Sequence, residues 1–553
     1  MELNRRDFLK GGAVLGSAAA IGGLAGCAAA PATTSNAPAA AEKLPAGTTA
    51  QDFASSVVEL DPITTFAEEL DYDIVVIGAG TAGIPATYAA LEEGAKVACL
   101  QKESLVVAHG NGSAGFIIEE SSEIGALQYK QAWRESSSYR VNPDLLDQFV
   151  QYSGETAMWM LKMGNEVGLA PAASLTKNEY DEGSYCTLAS NYFGPKPVNN
   201  ADIMKALAEA AEKEGAEFFY STPAVQLVMD DNGAVTGVIG AGEKGYVKFN
   251  ASKAVIIAAG DYQNNESLVE RYSPDIVRFN RKQHNKTGDG ILLAMTAGAV
   301  MAPVNHAKTM HDMDAAPMLL TFVPFMAVDE EGKRFMNEDI PMESWDLALN
   351  ARPSHVEDPG KFCRIFDNEY TTKYNVPVPP EALENYIPGF LDDPKGVYIG
   401  LTDTHRADTL EELAEMLDMP AAGLVESVKK WNEHCEAGAD SEFGLGQEML
   451  KPIDTPPYWA TRQWIRCSAI NAGVLIDGNC RVLDAKGEPI VGLYSAGSGA
   501  GNACGDLEWS LYQGGFCCGS YMTNGRYAAI HAATGGMTPS KAVSIDEVRH
   551  YWA

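Results

Sequence analysis

The sequence predicts an α/β fold, a parallel-sheet domain interrupted by an inserted α+β domain. Three observations carry this. DYDIVVIG, from Asp71, is an apolar run of the kind a parallel sheet buries on both faces. TAGIPATYAALEEGA follows as a helix with Pro85 in its first turns, and AKVACLQK as a second strand, completing a β-α-β unit. Between the first strand and the helix lies Gly78-Ala79-Gly80-Thr81-Ala82-Gly83, a G-x-G-x-x-G turn.

The elements follow in order along the 553 residues. Residues 1–27 read as a signal. Arg5-Arg6 precedes a weakly apolar Gly/Ala-rich run, the pattern of twin-arginine export, and Leu24-Ala25-Gly26-Cys27 resembles a bacterial lipobox with Cys27 as the lipidated residue. The alternative is an uncleaved membrane anchor. Residues 28–66, rich in Ala, Pro, Thr and Ser, read as a flexible linker. Residues 67–302 form the first part of the nucleotide domain. There GAEFFYSTPAVQLVMDDNGAVTGVIG gives short strands around an Asp-Asn-Gly turn, and SKAVIIAAGD a buried strand ending in a tight glycine turn. Residues 303–466 change to mixed loops and helices such as TLEELAEMLDMP, the inserted domain. Residues 467–553 return to strands (NAGVLID, GLYSAG) and a final helix from about Gly514.

A formal charge of −33 argues against nucleic acid, which needs a basic footprint. After the signal no apolar run reaches transmembrane length, so membrane contact is expected only through the N-terminal lipid or anchor. The ten cysteines are scattered, with neither zinc spacing nor a Cys-x-x-Cys-His haem motif, so no metal is predicted and any cofactor is held non-covalently. Cys517-Cys518 reads as core packing.

In the glycine turn, Gly78 permits the bend, Gly80 lets backbone approach a pyrophosphate and Gly83 lets helix and strand pack closely. The acidic residue expected at the end of the second strand is replaced by Gln101, with Glu103 as the nearby alternative. Three further segments bear on the cofactor: His109–Gly115, AAGDYQNN from Ala258, and GLYSAGSGAG from Gly492. With the first glycine motif they resemble the FAD-binding domain of the fumarate reductase and 3-ketosteroid dehydrogenase flavoproteins. The resemblance continues through TGDGILLAMTAGA, EEGKRFMNED, the Asp-Ser-Glu-Phe ending at Phe443, and NAGVLID, covering 71 to about 535 in order. It implies a Rossmann-like FAD-binding domain with an inserted α+β capping domain, and FAD inserted before export. The cofactor residues it implies are Gly78, Gly80, Gly83, Gln101, Ser113, Gly115, Val225, Ala259, Gly260, Asp289, Gly497, Ser498, Gly515 and Phe516.

In that family hydride passes between flavin N5 and a carbon of an activated C=C bond, a side chain handles the proton at the neighbouring carbon, and the cap excludes water. Three positions that carry charged or ionisable groups in fumarate reductases are neutral here. Thr321 replaces the protonating arginine. Ser468-Ala469-Ile470-Asn471-Ala472-Gly473 lacks the family histidines, and Tyr512 replaces the carboxylate-binding arginine. The resemblance therefore implies a neutral, larger substrate rather than fumarate. Tyr512 and the Gly515 N–H would polarise a carbonyl oxygen, as in the ketosteroid enzymes, and Trp509 would stack on a ring. The wall would include Thr321. Arg466 and His306, with His311 beside the latter, are the candidate proton donors, and Trp459 and Trp464 either line the pocket or pack. His405 and His434 read as solvated, and DEEGKR as a surface turn.

The expected function is an exported FAD-dependent reductase of an α,β-unsaturated carbonyl compound, resident in the cell envelope as a tethered lipoprotein. Its electrons would come from a separate partner such as a membrane-bound cytochrome, as in anaerobic respiration. The alternatives are a 3-ketosteroid-type dehydrogenase running oxidatively, and a non-catalytic flavin-binding lipoprotein.

Overall fold

A computed structural model describes residues 44–552 except 195, 197, 304, 342–343, 393–395 and 506–512. The signal, Cys27 and the first part of the expected linker lie outside the described residues. The central sheet is built on the strand Glu68–Ile77, which runs parallel to Val97–Leu100 on one side and to Gly245–Ile257 on the other. Glu217–Phe219 extends the parallel sheet beyond the former and Pro489–Ser495 beyond the latter. An antiparallel meander, Ala224–Met229 to Val235–Gly242 to Gly245–Ile257, attaches alongside. Ile74–Ile77, Val97–Leu100 and Ala254–Ile257 are all buried, as strands covered on both faces require.

Two helices lock against this sheet, Gly83–Glu92 and Phe516–Thr534. A Cβ on Gly525 would stand 2.0 Å from the Ala82 carbonyl oxygen, so the helices touch backbone to backbone. Fully buried Arg526 bonds Glu92 at 2.6 Å and Glu155 at 3.0 Å, tying both helices to a third, Pro143–Glu166. That third helix covers a separate antiparallel sheet of Gly112–Ile117, Ser184–Tyr192 and Ala172–Asp181.

The inserted region forms its own antiparallel sheet, Met326–Val328, Lys361–Asp367, Tyr458–Trp464 and Thr404–Ala407, with a separate apolar core that includes Ile365, Leu413, Leu424 and Trp431. The chain leaves the nucleotide domain at Lys308–His311 and returns at Arg466–Ile470, and these two strands pair antiparallel. Within EEGKRFMNED the surface turn ends at Lys333. The Arg334 side chain is buried, bonded to Glu338 and Asp440 and stacked on Trp431 and Phe443, which joins the two cap motifs. His405 and His434 are half-buried, each beside a carboxylate, Asp403 and Asp440 respectively. Trp459 is buried in the cap.

The linker expectation fails over its second half. Residues 44–66 pack on the nucleotide domain, with a short 3-10 turn at Ala50–Phe53. Asp52 is fully buried and accepts from Arg271 at 2.7 Å and Ser267 at 2.6 Å, while Asn265 donates to its carbonyl at 2.8 Å. These partners lie more than 200 residues away, so no local pattern announces them. Among the described residues no helix is long and apolar enough to cross a membrane, and no cluster of three or more metal-ligating side chains occurs.

Candidate functional site

A cavity of about 1160 Å³ opens at the carboxyl ends of the parallel strands and runs to the inner face of the cap. Ligands of open α/β sheets bind in that place. The strand Glu68–Ile77 ends on Gly78, whose φ of +105° brings the turn so close to the next strand that a Cβ would lie 2.5 Å from the Ala258 carbonyl oxygen. At Gly83 a Cβ would lie 1.7 Å from the Gly78 carbonyl oxygen, so this glycine packs the turn rather than facing the cavity. The helix begins there with no side-chain cap at Ala82, leaving its positive end for an anionic group.

Gly78, Gly80, Gln101, Ser113, Ala259, Gly260, Asp289, Gly497, Ser498 and Gly515 all line this cavity. Gln101 is buried at the end of the second strand, its N–H donating to the Phe219 carbonyl at 2.9 Å. Ser113 Oγ is buried without a hydrogen-bond partner, a polar atom waiting for a ligand. Asp289 is engaged by Lys102 and Ser56, each at 2.8 Å, and by Thr287. The N-terminal segment thus closes one edge of the cavity, and Val57 forms part of the wall.

Three other predicted cofactor residues stand behind the wall. A Cβ on Gly115 would meet the Ser153 carbonyl at 2.4 Å, so its role is helix packing. Val225 accepts the Glu59 N–H at 2.8 Å, and Phe516 packs between Trp133 and Phe149. The uncapped helix, the squeezed Gly78 turn and the open Ser113 hydroxyl together fit FAD.

Toward the cap, the wall carries Thr309, His311, Met318, Phe322, Tyr386, Tyr398, Arg466, Ser468 and Tyr521. Arg466 begins the returning strand, directly opposite His311. Its guanidinium lies 4.2 Å from the Trp464 ring, and its Nε is buried without a partner. His311 bonds Ser468 at 3.0 Å, and burial, with the charges of Lys282 and Arg466, holds it neutral. Lys282 also lines the cavity, its ammonium pulled down first by burial and then by Arg466. Lys286 is paired with Asp261 at 2.7 Å, and Lys196 with Asp314.

Two predicted site residues are elsewhere. His306 is fully buried, bonded to Tyr262 at 2.7 Å and to the Ala302 carbonyl at 3.0 Å, with its ring against Tyr272. It belongs to the core, and neither nitrogen is left for a substrate. Thr321 is buried in the 3-10 turn Met318–Phe322 and gives its carbonyl to Arg364 at 2.7 Å, while its neighbours Met318 and Phe322 reach the cavity. Tyr512 and Trp509 lie outside the described residues. Nor is the wall neutral, because Lys282 and Arg466 both face the cavity. Sequence reasoning passed over Lys282, although RKQHNK at Arg281–Lys286 is a basic run in a strongly acidic chain.

The family profile described as FAD binding domain matches residues 73–509. This chain belongs to that FAD-binding family. The twin-arginine translocation signal matches residues 2–22, and a 1-deoxy-D-xylulose 5-phosphate reductoisomerase profile matches only 27–109. Vinyl phenol reductase of Lactiplantibacillus plantarum is 26% identical over 85% of this chain and 98% of its own. A flavocytochrome c3 fumarate reductase in its open conformation superposes with a TM-score of 0.64 at 23% identity, over 84% of this chain and 79% of that one. The 3-ketosteroid Δ1-dehydrogenase of Sterolibacterium denitrificans gives 0.61 at 20%, over 84% and 100%. The protein is an exported FAD-dependent oxidoreductase.

Proposed function

We propose that this protein reduces the C=C bond of an α,β-unsaturated carbonyl compound, drawing electrons from a separate redox partner in the cell envelope. The observation that supports this best is the continuity of one cavity from the glycine turn at Gly78 and Gly80 to the returning strand that Arg466 begins. A cofactor held along the first end would meet a substrate held at the second. FAD, when bound, supplies the hydride for the β-carbon.

The chain's own residues do the rest. Gly78, Gly80, Gly260, Gly497 and Ser498 would hold the dinucleotide, with Gln101 and Asp289 available to its polar groups. Tyr512 and the Gly515 N–H act on the carbonyl oxygen, where negative charge gathers as hydride adds. Arg466 meets the substrate from the cap, and the cap strands keep water from the reacting carbons. In the sequence Thr321 and Tyr512 replace arginines of the fumarate reductases, so fumarate is not the proposed substrate. Lipidation at Cys27 would hold the enzyme near a membrane-bound cytochrome able to feed it.

The test is a viologen-linked anaerobic assay of the FAD-loaded protein with 4-phenylbut-3-en-2-one, cinnamate, urocanate and fumarate. Turnover of a larger acceptor with fumarate inert is expected, and Arg466→Met should lower kcat/KM about tenfold or more. Rapid fumarate turnover would refute the substrate reading. Flavin reduction by saturated ketones, without reoxidation by any unsaturated acceptor, would favour the dehydrogenase direction.

A further inference from the structure

We infer that Lys282 and Arg466 form an anion site in the substrate chamber, so the compound reduced carries a carboxylate on an apolar body. This rests on the reduction reading above.

The cavity's two acidic residues are already committed, Asp289 to Lys102 and Asp314 to Lys196. Lys286, a third wall cation, is committed to Asp261. Lys282 and Arg466 differ. Among the described residues neither side chain makes an ion pair or a hydrogen bond. Arg466 has only the Trp464 ring beneath it, and its Nε is cut off from water.

The fold brings the two together. The Lys282 N–H donates to the Cys467 carbonyl at 2.8 Å, so Lys282 is anchored to the strand that Arg466 begins. The buried acid that feels both cations is Asp312. It does not line the cavity, and its carboxylate is occupied by the Trp464 N–H at 2.8 Å and the Asp314 N–H at 3.3 Å. Asp312 offsets part of the charge of both cations without pairing with either, and two half-buried cations close to each other still repel and lose hydration, penalties that an anionic ligand relieves. A guanidinium fork beside an ammonium suits a carboxylate.

The rest of the chamber sets the body of the ligand. Met318, Phe322 and Leu401 are half exposed at 51%, 49% and 41%, and with Tyr386 and Tyr398 they form an apolar, aromatic wall on the cap side. Such a wall suits an aryl or alkyl group and offers nothing to a second carboxylate.

The experiment uses the FAD-loaded enzyme and a saturated acid, 3-phenylpropanoate, that cannot be reduced. Its binding is read from the perturbed absorbance of the oxidised flavin. Cinnamate and 4-phenylbut-3-en-2-one are then compared as electron acceptors. We expect 3-phenylpropanoate to bind, and to bind more weakly as salt rises in the unmodified protein. Its Kd should rise about tenfold or more in Lys282→Met and in Arg466→Met, less in Arg466→Lys. The preference for cinnamate over the ketone should collapse in both Met variants. FAD content and thermal melting report whether each variant is folded, and the salt dependence needs no variant. Salt-insensitive binding, or a Kd unchanged in folded variants, would overturn the anion site. So would turnover of the ketone with no binding of either acid, which would leave the reduction reading standing. Binding that depends on both cations, with no acceptor reduced, would keep the anion site and sink the reduction reading.

Discussion

Arg526 shows how much one buried residue carries. It is fully buried between Glu92 and Glu155, with the Trp159 ring 4.6 Å away. Arg526→Met would leave two carboxylates facing each other without a counter-charge. A loss of about 3–5 kcal/mol is expected in chemical denaturation of the holoprotein, and a loss under about 1 kcal/mol would contradict the reading. Histidine 306 makes a second prediction. Burial lowers its imidazole to about 4, against 6.5 for a free one. Between those values the unfolded chain takes up a proton that the native state refuses. Its contribution is therefore whole above pH 6.5 and is lost as pH falls toward 4. His311 and His109, desolvated in the cavity wall, the latter lowered to about 3, act with the same sign. Stability should drop by roughly 1 kcal/mol per histidine per pH unit in this window, and a flat denaturation profile from pH 7 to 5 would contradict it. Residue identity alone could not reveal this. A histidine near the start of the cap reads equally as catalytic or structural, and only the Tyr262 and Ala302 contacts decide.

Elements were legible where their cause is local. The β-α-β unit declares itself because apolar runs, a glycine turn and a helix pattern lie within about thirty residues of one another. Segment 44–66 did not, because its order comes from Asp52 meeting Arg271 and from Ser56 and Val57 meeting Asp289, all remote in sequence. That segment borders the dinucleotide cavity, so its hold bears on cofactor retention. Asp52→Ala should release it and raise the FAD dissociation rate about tenfold, read as the growth of free-flavin fluorescence on dilution. An unchanged rate would mean that the segment is decoration. At Gly78 the expectation is sharper. Gly78→Ala forces a Cβ to 2.5 Å from a backbone oxygen at positive φ, and purified protein should carry little FAD. Full occupancy by absorbance would contradict the geometry.

At the scale of the molecule, a dinucleotide domain and a cap meet around one cavity, and the chain crosses between them at the paired strands Lys308–His311 and Arg466–Ile470. The resemblance covered this architecture well because the glycine motifs and cap motifs fall in order along the chain. The substrate end was read less well. Counting substitutions against fumarate reductases suggested a neutral wall, yet Lys282 enters from the nucleotide domain and Arg466 from the cap edge. Neither position corresponds to the arginines that were counted. Tertiary structure gathers those two charges, and spacing along the chain does not. The most direct test is one anaerobic turnover, mixing dithionite-reduced, FAD-loaded protein with cinnamate. The account predicts that oxidised-flavin absorbance returns in step with an equal amount of the saturated acid. Flavin that stays reduced with cinnamate and with every other unsaturated carbonyl compound would contradict it.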